Sequence, residues 1–188
     1  MIELIKTVDL KGYTLIVPSV SVGNVGQLTV DLLISTLQLK KLGYVWHSSI
    51  LPIAGGDPFG SDDGISTACE LFYSESLKIV VLQIRSGLIK SKKEFIKCLC
   101  AWVKTVGIKQ VIVLTGSFAH ERRDKQLIGE PLRYIFCPLM KTEEEKKAVI
   151  RSWVQLEAKG LKNDEQDVPS SIPGTFLIIK KNFCIIFF

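Results

Sequence analysis

Runs of apolar, often β-branched residues alternate along the chain with segments in which apolar residues recur every three or four positions. The short continuous runs predict buried strands, whereas the three-to-four spacing predicts helices. This pattern places strands at 13–17, 43–47, 69–73, 78–85, 110–115 and 133–137, and helices at 27–39, 92–106 and 143–159. Because strands and helices mostly alternate, we predict a single α/β domain with three α/β/α layers and a mixed sheet.

The predicted helix 27–39 has a narrow polar face. Its polar residues Gln27, Asp31, Ser35 and Gln38 fall on one stripe, and leucine, isoleucine and valine cover most of the rest. A surface helix normally shows water a wider polar face, so either the domain or a partner must cover this one on more than one side. Burial in the core is the simpler interpretation. The competing hypothesis, that part of the helix lies at a protein interface, fails if every apolar side chain is buried within the chain.

Composition limits the class of protein. The chain has 188 residues, of which 47% are hydrophobic and 23% are charged, as expected for a globular domain and not for a disordered one. The net charge of +5 is scattered, and no stripe of Lys and Arg predicts a nucleic-acid surface. No signal-peptide pattern opens the sequence. Five cysteines at irregular spacing favour a reducing compartment over a disulfide framework.

The turn from Gly23 to Gly26 occupies the place of a phosphate-binding loop, after a strand and before a helix. It lacks the Lys and Ser or Thr of a P-loop, because Gln27 and Leu28 follow, and it lacks the third glycine of a dinucleotide site. A tight turn that lets helix and strand pack closely is the favoured interpretation.

Other residues of chemical interest form no predicted site. His47 and His120 have no companions at metal-ligand spacing, and Cys98 is expected to be buried on its helix as a small hydrophobe. We therefore predict no catalytic, metal or cofactor site. The acidic loop 52–64, which contains Asp57, Asp62 and Asp63, lacks a calcium-binding pattern and remains a candidate contact surface.

Four segments in register resemble the proteasome assembly chaperone family, over roughly residues 12–174. The first runs from Val17 to Leu28 and continues through 31–37. The second is 82–86, and the third is 102–104 followed by Gly107 and 111–114. The fourth set is Arg122, Asp124, Gln126, Leu127, Pro131, Arg133, Tyr134 and Pro138.

The resemblance implies a protein-binding function and no enzymatic activity. Members of the family pair with a second, related chaperone, bind α-subunits of the 20S core proteasome, promote α-ring formation and prevent aberrant α-ring dimers. It also implies a nucleoside phosphorylase-like core without that activity, cytoplasmic and nuclear localisation, and no cofactor, nucleic-acid or membrane partner. The candidate contact residues are Asn24, Gln27, Leu28, Asp31, Leu32, Arg122, Asp124, Arg133 and Tyr134.

The sequence departs from the family at its C-terminus, where family members continue well beyond residue 174. We expect residues 1–174 to form the chaperone α/β domain, incomplete at its C-terminus, and residues 175–188 to form an atypical hydrophobic tail. That tail is strand-like and too short to span a bilayer. An alternative transcript or an incomplete gene model is the expected origin of the departure.

Two other functions remain open from the residues alone. One is an enzyme of nucleoside phosphorylase type that binds phosphate at the Gly23–Gly26 turn, for which Arg85 and Ser86 are the nominated contacts. The other is an adaptor that binds an acidic partner through the loop 57–64.

Overall fold

The structure of the chain is a computed structural model, and it describes residues 2–59, 64–89, 92–116, 129, 131–136, 153–155 and 183–187. The strands in these ranges are β1 (Ile2–Leu4), β2 (Thr14–Pro18), β3 (Lys40–Val45), β4 (Ala54–Gly56), β5 (Ile65–Thr67), β6 (Cys69–Ser74), β7 (Ile79–Ile84), β8 (Gln110–Thr115), β9 (Arg133–Phe136), β10 (Val154–Gln155) and β11 (Phe183–Phe187). The helices are α1 (Val25–Thr36), preceded by a 3-10 turn at Val22–Asn24, and α2 (Lys92–Thr105).

Nine of the described strands form one mixed sheet in the order β1-β3-β6-β7-β2-β8-β11-β9-β10. Strands β7, β2, β8 and β11 run parallel at its centre. Antiparallel pairs flank this centre, with β6 beside β7 and β9 beside β11. Strands β4 and β5 pair separately as a short antiparallel ribbon.

The two helices cover opposite faces of the sheet. Val30 and Ile34 of α1 pack into one cluster with Val81 and Leu114, whereas Phe95 and Leu99 of α2 join the opposite cluster with Val80 and Leu82 of β7. Adjacent residues of β7 therefore serve opposite layers, as the pleat of a strand requires. The predicted α/β/α architecture with a mixed sheet is confirmed.

Most predicted boundaries lie within about two residues of the observed ones, but β3 does not. The prediction placed this strand at 43–47, and it runs from Lys40 to Val45. The preceding helix ends at Thr36 instead of continuing to Leu39. Gln38 adopts a φ of 48° there and turns the chain directly into β3. Glutamine rarely takes this left-handed conformation, so the residue types do not mark the turn.

The predicted helix 143–159 is wrong at residues 153–155. Val154 and Gln155 form β10, which pairs in parallel with Arg133 and Tyr134 of β9. Pairing with a sheet overrides helical spacing in such a short segment, and Trp and Val suit a strand. Residues 143–152 and 156–159 lie outside the described part of the chain.

The strand-like character predicted for the hydrophobic C-terminal segment is observed at Phe183–Phe187. This strand lies inside the sheet, parallel to β8 and antiparallel to β9. The division of the chain at residue 174 stays a prediction, but the five residues of β11 belong to the sheet and do not form a separate tail.

Candidate functional site

The turn between β2 and α1 brings the helix close to the carboxyl end of β8. Gly23 has a φ of 66°, and the amide of Gly116 donates to Ser21 Oγ at 2.9 Å. A Cβ on Gly26 would lie 2.5 Å from the carbonyl oxygen of Leu114. Gly23 therefore provides the left-handed turn and Gly26 the close approach, as the tight-turn interpretation predicts.

Gln27 and Asp31 of the polar stripe of α1 reach toward the sheet, whereas Ser35 is exposed. Gln27 Nε2 donates to the carbonyl oxygen of Ile84 at 2.8 Å. Asp31 Oδ1 accepts from Gln83 Nε2 at 2.7 Å and lies 3.4 Å from the guanidinium of Arg85. Two polar side chains of the helix are thus paired with β7 and the residue that follows it.

The side of α1 opposite the core carries two exposed leucines. Leu28 and Leu32 lie one turn apart and are 57% and 66% exposed, while Val30 and Ile34 are buried beneath the helix. Asn24, at the start of the helix, is also exposed. An ordinary surface helix has the reverse arrangement, with its polar residues outward. The interface hypothesis required some apolar side chains of this helix to remain uncovered, and these two leucines do.

Arg85 links the α1 stripe to the long loop before β5. Its guanidinium lies 5.5 Å from the ring centre of Phe59, and that ring packs edge-on against Phe72 at 5.5 Å. The amide of Phe59 donates to Asp57 Oδ1 at 2.9 Å, which fixes the loop locally. Asp57 is therefore a turn-forming residue here, and Asp62 and Asp63 lie outside the described residues.

The sequence of this chain matches the model of the PAC2 family over residues 15–179. The chain belongs to the PAC2 family. It is 41% identical over 173 residues to proteasome assembly chaperone 2 of Danio rerio and 40% identical over 173 residues to that of Homo sapiens. These matches cover 87% and 88% of this chain, which spans only 66% of the length of each relative.

Solved structures show the same fold for this PAC2-family chain. Pyrococcus furiosus PbaA, described as an archaeal homolog of proteasome-assembly chaperone, superposes with a TM-score of 0.69 at 16% identity and covers 100% of this chain and 75% of its own. Pyrococcus furiosus PbaB, described as an archaeal proteasome activator, gives a TM-score of 0.63 at 13% identity, with 100% and 78% covered. At such low identity these likenesses establish the fold alone, and the expected likeness to nucleoside phosphorylases stays a prediction.

Two further predicted contact residues of the PAC2-family chain, Arg133 and Tyr134, are buried in the structure. Arg133 and Tyr134 are only 5% and 4% exposed, because β9 lies inside the sheet. Tyr134 packs against Trp153, with ring centres 6.4 Å apart. Both side chains occupy core positions, and their role as partner contacts stays a prediction. Arg122 and Asp124 lie outside the described residues, as does His120.

The residues nominated for an enzyme make other contacts in the structure. Arg85 is paired with Asp31, and Ser86 is buried, with its hydroxyl 3.5 Å from the carbonyl oxygen of Gly87. His47 has a local structural role, since its Nδ1 accepts from the amide of Ser49 at 3.1 Å and its ring packs on Phe95.

Two kinds of feature are absent from the described ranges. No group of three or more His, Cys, Asp and Glu side chains there is arranged to hold a metal ion. No helix in those ranges is both long and apolar enough to cross a membrane.

Sequence reasoning missed a buried ion pair that fixes the β4–β5 ribbon. Glu70 is 0% exposed and lies 3.2 Å from Lys41 Nζ. Its carboxylate also accepts from the amide of Thr67 at 2.8 Å and from Ser66 Oγ at 3.3 Å, while Lys41 Nζ donates to the carbonyl oxygen of Ile65. The sequence did contain one indication of this pair, since Glu70 is the only charged residue in the apolar run of β6. A carboxylate buried in such a run needs a partner.

Proposed function

We propose that this chain is a proteasome assembly chaperone. In this role it pairs with a second, related chaperone, and the heterodimer binds proteasome α-subunits, promotes α-ring formation and prevents aberrant α-ring dimers. The names of its relatives in fish and human support the role in proteasome assembly. The pairing and the α-ring steps rest on the family resemblance.

The observation that carries the proposal is the reversed orientation of α1. The helix turns Gln27 and Asp31 toward β7 and presents Leu28 and Leu32 outward. Burial of a leucine side chain stabilises a complex by roughly 1.5–3 kcal/mol, so a protein that covers both side chains gains binding energy that water does not provide. We assign the outer face of α1, made of Asn24, Leu28 and Leu32, to contact with a protein partner.

Binding, not catalysis, is the proposed activity. A chaperone of this kind stabilises one assembly intermediate and blocks a competing surface, which needs complementary contacts and no reacting groups. We also propose that the chain acts in the cytoplasm and nucleus. A fluorescent fusion confined to mitochondria or to the secretory pathway would contradict that location.

Co-purification of the tagged chain from cells, followed by mass spectrometry, tests the proposed function. We expect a related assembly chaperone and proteasome α-subunits, without the β-subunits of mature particles. The variant Leu28→Glu/Leu32→Glu should lose these partners, because it places two charges on the proposed contact face. Leu77→Glu is the matched control, since Leu77 is similarly exposed, at 53%, in the turn between β6 and β7.

Two results would contradict the proposal. Recovery of α-subunits in equal amount with the double variant would remove α1 from the contact surface. Absence of both a related chaperone and proteasome subunits from the unmodified chain would count against the chaperone role itself.

A further inference from the structure

The outer face of α2 carries three lysines in a row. Phe95 and Leu99 turn the apolar side of the helix toward the core, whereas Lys93, Lys97 and Lys104 are exposed. At about 100° of rotation per residue, these three side chains leave the helix within about 40° of one another around its axis. We call these three residues the lysine row, and it extends over roughly 16 Å of the helix.

Helix α2 holds most of the net positive charge of the chain. It contains four lysines and one glutamate, so its net charge of +3 compares with +5 for the whole chain. Helix α1, on the opposite face of the sheet, contains one aspartate and no lysine or arginine. The two helical layers therefore present different surfaces, and the cationic one lies on the side of α2.

The lysine row has no carboxylate partner within the described part of the chain. The ion pairs found in those ranges lie outside α2. Glu94 precedes Lys97 by three residues, a spacing at which helical side chains can pair, but no ion pair joins them. Lys93 and Lys97 are four residues apart, where like charges destabilise a helix. An anionic surface from outside the chain would therefore relieve this repulsion.

The surroundings of the lysine row favour a protein surface over a nucleic acid or a membrane. Nucleic-acid surfaces combine cations with exposed aromatic rings, whereas Trp102 of α2 is half-buried and packs against the core. A helix at a membrane surface needs large apolar side chains beside its cations. The exposed residues next to the lysine row are instead small, Cys98 and Ala101. A second copy of the chain is disfavoured, because two identical lysine rows repel each other.

We propose that the lysine row docks against a row of carboxylates on the surface of a partner protein. Exposed ion pairs are individually weak, so the row attracts and orients the partner more than it holds it. The inference goes beyond the proposed chaperone role, because it assigns a second contact surface on the layer opposite Leu28 and Leu32. Its test uses the isolated chain, so it can fail while the chaperone role stands.

Fluorescence anisotropy with dye-labelled helical peptides tests the inference on the full chain. The probe is an end-blocked, alanine-rich peptide of about 20 residues, long enough to be partly helical in water, with its glutamates in one row. The comparison peptide has the same composition, with its glutamates distributed around the helix. We expect the row peptide to bind about tenfold more tightly at about 0.02 M salt, since three modest pairs form together. Most of that difference should disappear at about 0.15 M salt, because salt screens exposed charges.

Variants of the lysine row test whether its charges cause the binding. Lys93→Gln/Lys97→Gln/Lys104→Gln should weaken binding of the row peptide about tenfold at low salt. Lysine and glutamine have similar helix propensities, so α2 should stay folded. Lys93→Arg/Lys97→Arg/Lys104→Arg keeps the three charges and should bind like the unmodified chain.

A matched control separates the lysine row from the net charge of the chain. Lys6→Gln/Lys40→Gln/Lys78→Gln removes the same number of charges from exposed positions outside α2. We expect this variant to bind the row peptide within about twofold of the unmodified chain, since distant exposed charges are largely screened.

Any of three results would overturn the inference. The first is equal binding of the two peptides at low salt. The second is an equal loss of binding in the control variant and in the lysine-row variant, which would assign the effect to net charge alone. The third is tighter binding of a DNA duplex or of phosphatidylserine vesicles than of the row peptide, with the same dependence on the lysine row. That result would assign the row to a nucleic acid or a membrane.

Discussion

Asp31 of α1 accepts a hydrogen bond from Gln83 of β7 at 2.7 Å, and this contact turns the polar stripe of the helix toward the sheet. The same carboxylate pairs with Arg85. Because Gln27 and Asp31 are held in this orientation, Leu28 and Leu32 of α1 are exposed. This contact between the helix and the sheet thus affects both the packing of α1 and the composition of its outer face.

Removal of the Asp31 carboxylate should destabilise the fold. In Asp31→Ala the amide of Gln83 and the guanidinium of Arg85 both lose an acceptor, and a buried polar group without its partner costs about 1–3 kcal/mol. Urea unfolding measures the change in the free energy of unfolding. Ser35→Ala, at an exposed position of the same helix, should change it by less than about 0.5 kcal/mol. Equal effects of the two substitutions would contradict the pairing.

Gly26→Ala should also destabilise the fold, through a different cause. The added Cβ would lie 2.5 Å from the carbonyl oxygen of Leu114, so α1 must move away from β8. Overpacking of this kind costs about 1–3 kcal/mol, although alanine is otherwise the better helix former. Thermal unfolding of Gly26→Ala beside Gly87→Ala provides the comparison. A Tm for Gly26→Ala at or above that of the unmodified chain would show that the helix is not held at this distance.

The order of the main elements could be predicted from the sequence, but the orientation of α1 could not. Central strands such as β7 and β8 are buried on both faces, so their apolar runs identify them directly. The sequence left open which side of the helix meets the domain, because the acceptor in the backbone of Ile84 and the donor in Gln83 become neighbours of Gln27 and Asp31 only after folding.

Two other elements were not predicted, because each is stabilised by residues that are distant in the sequence. The ribbon β4–β5 depends on Glu70, which is three residues from Thr67 in sequence but is neutralised by Lys41 of a different strand. Strand β10 exists through its pairing with β9. The local sequence shows neither the role of Lys41 nor the pairing with β9. The local pattern therefore predicted a loop where β4 lies and a helix where β10 lies.

Lys41→Met should release the β4–β5 ribbon. This change leaves the carboxylate of Glu70 buried without its cation, and breaking a buried pair from one side costs about 3–5 kcal/mol. Hydrogen exchange should increase at the amides of Ile65–Thr67 before it increases in the central strands. Lys41→Met/Glu70→Gln should recover part of the lost stability, since it removes the uncompensated charge. Lys40→Met, at an exposed position, is the control, and an equal loss in that variant would contradict the assignment.

Cys98, Cys100 and Cys69 should differ in their reaction with iodoacetamide. Cys98 is exposed, which corrects its predicted burial, whereas Cys100 is half-buried and Cys69 is buried. Burial raises the pKa of the Cys100 thiol. Burial, and secondarily Glu70, raises the pKa of the Cys69 thiol. Since the thiolate is the reacting form, peptide mass mapping at neutral pH should find modification first at Cys98, then at Cys100, and last at Cys69. Early modification of Cys69 would contradict the burial of β6.

The raised pKa of Cys69 also predicts a loss of stability in alkali. The folded state holds the thiol proton more tightly than the unfolded chain, whose thiols titrate near the ordinary value of 9.0. The contribution of the Cys69 thiol to the free energy of unfolding is therefore complete below pH 9.0 and declines as the pH rises above that value. Urea unfolding of the chain and of Cys69→Ala between about pH 8 and 10 tests the sign. A steeper alkaline decline in Cys69→Ala than in the unmodified chain would contradict it.

Strand β11 should be required to hold β9 in the sheet. Among the described residues, β9 pairs only with β11 and β10, and β11 joins it to β8 through Ile185, whose partners are Val113 and Ile135. Ile185→Pro removes a backbone donor from an interior strand and should cost about 3 kcal/mol or more. Hydrogen exchange should then increase at β9 more than at β7, which does not contact β11. Ile2→Pro in the edge strand β1 is the comparison and should cost less. Unchanged protection of β9 in Ile185→Pro would place its attachment elsewhere.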